Sequence, residues 1–196
     1  MNILVGYATQ HGSTRAIAER IAECIAREGH VVDIRPVHQI CWSEPRDAVV
    51  LGSAIHNGQW LADADARVRA NRSYLQERPV WLFSVSCVGA AGGAFSRPVN
   101  AFLRLLRGET SEIAGYRKLL PVQDHRDFAG VVEAGHWPPT GRLIFRLFTG
   151  RFGDHRDWAD IETWARMIVA QAERSAGSSR PVRSNGPGRP PRLDRS

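Results

Sequence analysis

Apolar positions along the chain follow two alternating rhythms. Short apolar runs rich in β-branched residues recur at 3–8, 31–34, 48–52, 79–86 and 127–132, and each reads as a strand. Elsewhere the apolar residues move to helical spacing. Ile17, Ile21, Cys24 and Ile25 share one face of a helix that starts after Gly12-Ser13-Thr14 and stops at Gly29. The pattern predicts a helix over 60–76, weakened by Asn71 and Ser73, and helical stretches over 97–107 and 110–120. A last helix begins at about Trp158, with Asp157 as N-cap and Trp158, Ile161, Trp164, Ala165, Ile168 and Ala172 on one face.

Strands alternating with helices predict an α/β fold, a doubly wound five-stranded parallel sheet with helices on both faces. The first, third and fourth runs are apolar throughout, as strands covered on both faces are. Ligands of such sheets bind beyond the carboxyl ends of the strands, where the strand order reverses. The loops after the first, third and fourth strands are therefore where a site is expected.

Composition adds boundaries to this picture. The chain has 196 residues, of which 43% are hydrophobic, enough for one domain with a full core. The net charge is +6, but residues 173–196 hold six arginines against Glu173 and Asp194, leaving only +2 for the rest. Basicity is thus mostly a property of the tail and gives no reason to expect a nucleic-acid partner. From about Ala176 the sequence is Gly, Ser, Pro and Arg with almost nothing to bury, so a folded domain is expected over 1–175 and a disordered tail over 176–196. Lys118 is the one lysine; every other basic side chain of the Lys/Arg class is arginine. Cys24, Cys41 and Cys87 are odd in number and show no metal spacing, which fits a reduced, cytoplasmic setting. The N-terminus does not read as a signal peptide, and no apolar run reaches the roughly 18 residues of a membrane span.

The first loop, Thr9-Gln10-His11-Gly12-Ser13-Thr14, joins a strand to a helix N-terminus. Thr9, Gln10, Ser13 and Thr14 offer side-chain donors, Gly12 permits close backbone approach, and the helix start adds unpaired N–H groups and a positive dipole end. Such a loop is either a phosphate cradle without a lysine or a plain helix cap. The glycine spacing and the missing lysine exclude a triphosphate-binding loop of the GxxxxGK[ST] type, and GxGxxG is absent too. The loop after the third strand, Ser53-Ala54-Ile55-His56-Asn57-Gly58, carries an Asn-Gly turn signal next to Trp60. That tryptophan either faces a ligand or tucks into the core. The loop after the fourth strand, Ser86-Cys87-Val88-Gly89, runs on through small residues that let backbone lie flat against a ring.

His11 and His56 fall in these loops, either to contact a ring or to stay solvated, while His125, His136 and His155 show no metal spacing and read as solvated. No Ser/His/Asp set and no pair of carboxylates stands out as a catalytic group. Residues 142–152 form a basic amphipathic stretch in which Leu143, Ile144, Leu147 and Phe148 share a face and Arg142 and Arg146 share an edge. It reads either as a surface for peripheral contact with the inner face of a membrane or as a helix packed on the sheet. Trp137-Pro138-Pro139 leads into it, and Trp137 is a further candidate for the neighbourhood of a ring.

Several of these pieces resemble the flavodoxin superfamily. They are Ile3-Leu4-Val5-Gly6-Tyr7-Ala8-Thr9 running into Gly12-Ser13-Thr14-Arg15, then Val50-Leu51-Gly52-Ser53-Ala54-Ile55 with Gly58, and Phe83-Ser84-Val85-Ser86. Phe128-Ala129-Gly130 and Gly153-Asp154-His155-Arg156-Asp157-Trp158 are similar to the branch that holds the menaquinone-dependent protoporphyrinogen oxidases. The resemblance implies a flavodoxin-like strand order of 2-1-3-4-5. It implies FMN, with its phosphate at Thr9–Thr14 and its ring between the 53–60 and 86–93 loops. It also implies redox chemistry, either as an FMN-dependent oxidoreductase passing electrons from a porphyrinogen to a quinone or as a carrier between protein partners. A domain that binds a deazaflavin instead is a further alternative.

Overall fold

The computed structural model describes residues 1–136, 140, 145, 146 and 150–178. At its centre is Asn2–Ala8 (β1), whose residues alternate between two cores. Ile3 and Val5 enter one, Leu4 and Ala8 the other. Val31–Pro36 (β2), Ala48–His56 (β3), Val80–Ser86 (β5) and Val122–Ala129 (β6) complete a parallel sheet in the order β2-β1-β3-β5-β6. Gln59–Trp60 (β4) adds an antiparallel pair to the end of β3. With that short appendage set aside, the order is the predicted 2-1-3-4-5.

Each sheet face is covered by helices, which is why the central strands read as apolar without alternation. Ser13–Arg27 (α1) and Trp158–Ser178 (α6) lie on one face, joining Val50, Trp81, Phe83 and Phe128 in a single core. Ala62–Ala70 (α2), Arg72–Gln76 (α3) and Ser111–Leu119 (α5) cover the other, around Leu4, Val49, Leu51 and Leu82. Arg97–Arg107 (α4) stands apart from both cores. Val131–Val132 (β7) pairs with Gly153–Asp154 (β8) in a separate two-stranded ribbon. Asp157 caps α6 as expected, its carboxylate accepting from the Asp160 N–H at 3.0 Å.

Four boundaries differ from the sequence pattern. β3 runs to His56, and the chain doubles back through Asn57 (φ 51) and Gly58 (φ 82), a pair of positive φ angles that suits a tight hairpin. The helix expected over 60–76 is two helices broken at Asn71, with Trp60 belonging to β4. β6 starts at Val122, five residues before the apolar signal begins, because Asp124, His125 and Arg126 all find specific partners. Trp164 Nε1 donates to Asp124 Oδ2 at 2.7 Å, His125 bonds Ser84, and Arg126 pairs with Asp160. Finally, α6 continues to Ser178, past the boundary drawn from composition.

Of the basic stretch 142–152, residues 142–144 and 147–149 lie outside the described residues, as do Trp137-Pro138-Pro139 and the tail from 179 onward. Phe145 is buried against Phe95 and Phe152. Among the described residues no helix is long and apolar enough to cross a membrane.

Candidate functional site

The carboxyl ends of β1, β3 and β5 open into a cleft of about 780 Å³, within the roughly 300–1,000 Å³ usual for small-molecule sites. The structure brings together Thr9, Gln10, His11, Ser13 and Thr14 from the first loop, Ala54, Ile55, His56, Asn57 and Gly58 from the hairpin, and Ser86, Cys87 and Val88 from the third loop. Gly12, Ser53 and Gly89 are not among the residues that line it.

The first loop turns sharply at Gly12, whose φ of +89 favours glycine, while the Thr9 hydroxyl accepts the Gly12 N–H at 2.9 Å. α1 then begins with no side-chain cap, so its first-turn N–H groups lack intrahelical acceptors. Thr14 is 1% exposed, and its Oγ1 finds no hydrogen-bond partner among the described residues. A hydroxyl buried without a partner costs on the order of 1–3 kcal/mol, a cost that a ligand atom in the cleft would offset. Ser13 Oγ accepts the Val131 N–H at 3.0 Å, which leaves its own proton to donate. Among the described lining residues there is no lysine or arginine. The donors these residues offer an anion are hydroxyls, backbone N–H groups and the positive end of the helix dipole.

Ser53 and Gly89 shape the other two loops. Ser53 Oγ donates to the Ala54 carbonyl and accepts the Leu61 N–H at 3.0 Å, tying the hairpin to its own base. At Gly89 an added Cβ would stand 2.3 Å from the Ala129 nitrogen, so only glycine lets the third loop lie this close to the end of β6. The Ser86 hydroxyl accepts the Val88 N–H, and Asn100 Nδ2 of α4 donates to the Gly89 carbonyl.

The sequence pattern missed Val85, Phe95 and Leu103, and the segment Gly130, Val131, Val132 and Glu133. Gly130 carried a signal, since it ends the Phe128-Ala129-Gly130 motif. A Cβ there would meet Val85 Cγ1 at 2.9 Å and Ser13 Cβ at 3.2 Å, so its absence lets β6 close onto the start of α1. Phe95 and Leu103 carried none, because they reach the cleft only by tertiary packing.

One open alternative is decided and one expectation is corrected. Trp60 does not face the cleft; it is 4% exposed, sits edge-on to Tyr116, and donates from Nε1 to Ser84 Oγ at 2.8 Å. His125 is not solvated, since its Nε2 lies 2.9 Å from the same Ser84 oxygen. Ser84 Oγ thus accepts the indole N–H and shares a second hydrogen bond with His125 Nε2, whose direction follows the imidazole tautomer. Burial, with a smaller contribution from Arg117, holds the imidazole below its usual pKa, opposed by Asp127, Glu109 and Asp124. The unfolded chain therefore takes up this proton first, and stability falls as the pH drops below about 6.5. Urea midpoints measured at pH 7 and pH 5 should separate, and His125→Gln should narrow the separation. An equal separation in the variant would remove His125 as its source.

Comparison with known proteins agrees with this geometry. The family model described as a flavodoxin domain matches residues 4–113. A curated relative, the protoporphyrinogen IX dehydrogenase [quinone] of Escherichia coli K12, is 28% identical over 108 residues, covering 53% of this chain. The matched stretch spans only 59% of that relative's length. Among solved structures, a cysteine-to-serine variant of the flavodoxin from Pseudomonas aeruginosa superposes with a TM-score of 0.55 at 11% identity, covering 88% of this chain and 99% of the other. A flavodoxin from the domain Archaea gives 0.52 at 14% identity, again over 88% and 99%. The family match covers more than half of the chain, and the fold superposes on solved flavodoxins: this chain belongs to the flavodoxin domain family.

Proposed function

We propose that residues 1–175 bind FMN in the cleft and act as an FMN-dependent oxidoreductase, with a porphyrinogen as reductant and a quinone as acceptor. The observation that carries the cofactor reading is the buried, unpartnered Thr14 hydroxyl at the open N-terminus of α1. A phosphate oxygen there would take hydrogen bonds from Thr14, from Ser13 and from first-turn N–H groups. The substrate reading draws on the name of the Escherichia coli relative.

When bound, a flavin supplies the store for electrons, and the chain's residues set where it lies. The Asn57-Gly58 turn offers backbone polar groups at one edge of the cleft. Ala54, Ile55, Val85 and Val88 offer apolar surface along it, which keeps water from a bound ring. Ser53 Oγ and the Trp60–Ser84–His125 chain hold the hairpin in place from below. Among the described lining residues there is no carboxylate pair and no Ser/His/Asp set, so proton movement there falls to His11, His56, Glu133 or solvent.

Purification followed by cofactor identification tests the first step. A colourless protein that takes up no added FMN would overturn the proposal. With FMN bound, oxidation of protoporphyrinogen by a menaquinone analogue should exceed the rate given by free FMN; turnover at the free-FMN rate would leave only the electron-carrier alternative. Thr14→Val keeps the side-chain shape and removes the hydroxyl. It should weaken FMN by about tenfold, since a hydrogen bond to a charged group contributes roughly 1.5–3 kcal/mol. Riboflavin, which lacks the phosphate, should be little affected. Equal losses for the two ligands would contradict the phosphate placement.

A further inference from the structure

α4 is built inside out. Its Asn100 is 5% exposed and bonds inward to the Gly89 carbonyl, and Arg104 Nη1 reaches back to the Ala90 carbonyl at 3.1 Å. Pro98, Ala101, Phe102 and Leu105, at the i, i+3, i+4, i+7 spacing of one helix face, all point to solvent. Phe102 is 57% exposed, Leu105 80% and the adjoining Leu106 66%; among the described residues the other large hydrophobic so exposed is Val31, on the edge strand β2. An apolar helical face this open is a contact surface in search of a cover.

The charges around it select the occupant. α4 contains three arginines and no acidic residue, and Arg97 and Arg104 are exposed. Arg146 and Arg151 are exposed as well, and the Arg151 N–H donates to the Ala94 carbonyl at 2.7 Å, which places that segment against the loop that carries α4. A second copy packed on the same face about a two-fold axis would set arginine against arginine. A surface of lipid phosphates over hydrocarbon matches both the apolar stripe and its cationic rim.

We propose that α4 is a docking face for an anionic phospholipid surface, with Phe102, Leu105 and Leu106 entering the headgroup layer and the arginines meeting lipid phosphates. Leu103, next along the helix, lines the cleft, so docking sets the cleft mouth at the depth where apolar solutes dissolve. The proposal stands on α4 and the arginines beside it and holds whatever the cleft binds.

Full-length protein is sedimented with vesicles of phosphatidylglycerol and phosphatidylcholine in equal parts, and with vesicles of phosphatidylcholine alone. The test variant is Phe102→Ser with Leu105→Ser. It leaves the net charge unchanged, so any attraction exerted by the Arg-rich tail is the same in both proteins. Wild type should bind the anionic vesicles at least about tenfold more tightly than the variant, from the loss of two apolar side chains. Circular dichroism and thermal midpoints should match, because neither residue enters a core. Equal binding by variant and wild type, equal binding to the two vesicle types, or no binding of wild type to either would overturn the proposal. So would a concentration-dependent dimer that the same substitutions dissolve, which would assign the face to a second copy.

Discussion

Replacing Trp164 by alanine will lower the stability of this protein by about 4 kcal/mol, in the upper part of the range for large-to-small core substitutions. Trp164 is 2% exposed and stands edge-on to both Phe83 and Phe128, with ring centroids 6.1 and 5.5 Å away. It is one of the contacts, with Ile161, Ala165, Ile168 and the Arg126–Asp160 pair, through which α6 holds the sheet. Its Nε1 also satisfies Asp124 Oδ2 on β6, so alanine removes a ring from between two others and strips a half-buried carboxylate of its donor. For a chain of this length the thermal midpoint should fall by roughly 8–16 °C. Trp164→Phe separates the two contributions: it keeps much of the ring packing and loses the hydrogen bond, and should cost about 1–2 kcal/mol. A wild-type melting point in the alanine variant would show that α6 is not part of the cooperative unit.

Gly52→Val should cost about 3 kcal/mol through the opposite fault, overpacking. The Phe83 ring lies directly over Gly52, and a Cβ at this position would sit 2.0 Å from Phe83 Cζ. The ring cannot turn aside, since Phe128 and Trp164 already flank it. The strand itself would have to move, and Ser53 and the hairpin follow immediately after Gly52. Affinity for a ligand of the cleft should therefore fall along with stability, whereas Trp164→Ala should chiefly affect stability. Titration of the two variants with FMN at a temperature where both are folded distinguishes them. Unchanged affinity in Gly52→Val would mean that β3 absorbs the strain without tilting the hairpin.

The middle of the sheet was legible in the sequence for a simple reason. β1, β3 and β5 are covered on both faces, so burial alone dictates their residues, and the carboxyl-end loops follow from strand order. The edge strand β6 was only half legible. Asp124, His125 and Arg126 look like loop residues until their partners Trp164, Ser84 and Asp160 are known, and those partners lie 34 to 41 residues away. Trp60 stayed ambiguous in the sequence for a related reason. It follows the Asn57-Gly58 turn that faces the cleft, and the two-residue strand after that turn carries it inward, where Ser84 takes its N–H. The place of the Thr9–Thr14 loop at the cleft could be read because it is one contiguous segment. Phe95, Leu103 and the 131–133 segment could not, because they come to the cleft from elements whose own patterns concern other contacts.

The position of Lys118 near the end of α5, just before β6, has a practical meaning. A protease that cuts only after lysine has one place to act, and the cut would fall between two unequal parts of one sheet. The first piece would keep β1 to β5 with the Thr9–Thr14 loop and the hairpin; the second would keep β6, Gly130, the 131–133 wall and α6. Neither piece contains the whole cleft, and the Phe83–Trp164–Phe128 stack and the Ser13–Val131 bond both cross the seam. The chain thus carries its own split point, and any signal that depends on the assembled cleft would report the rejoining of the two halves.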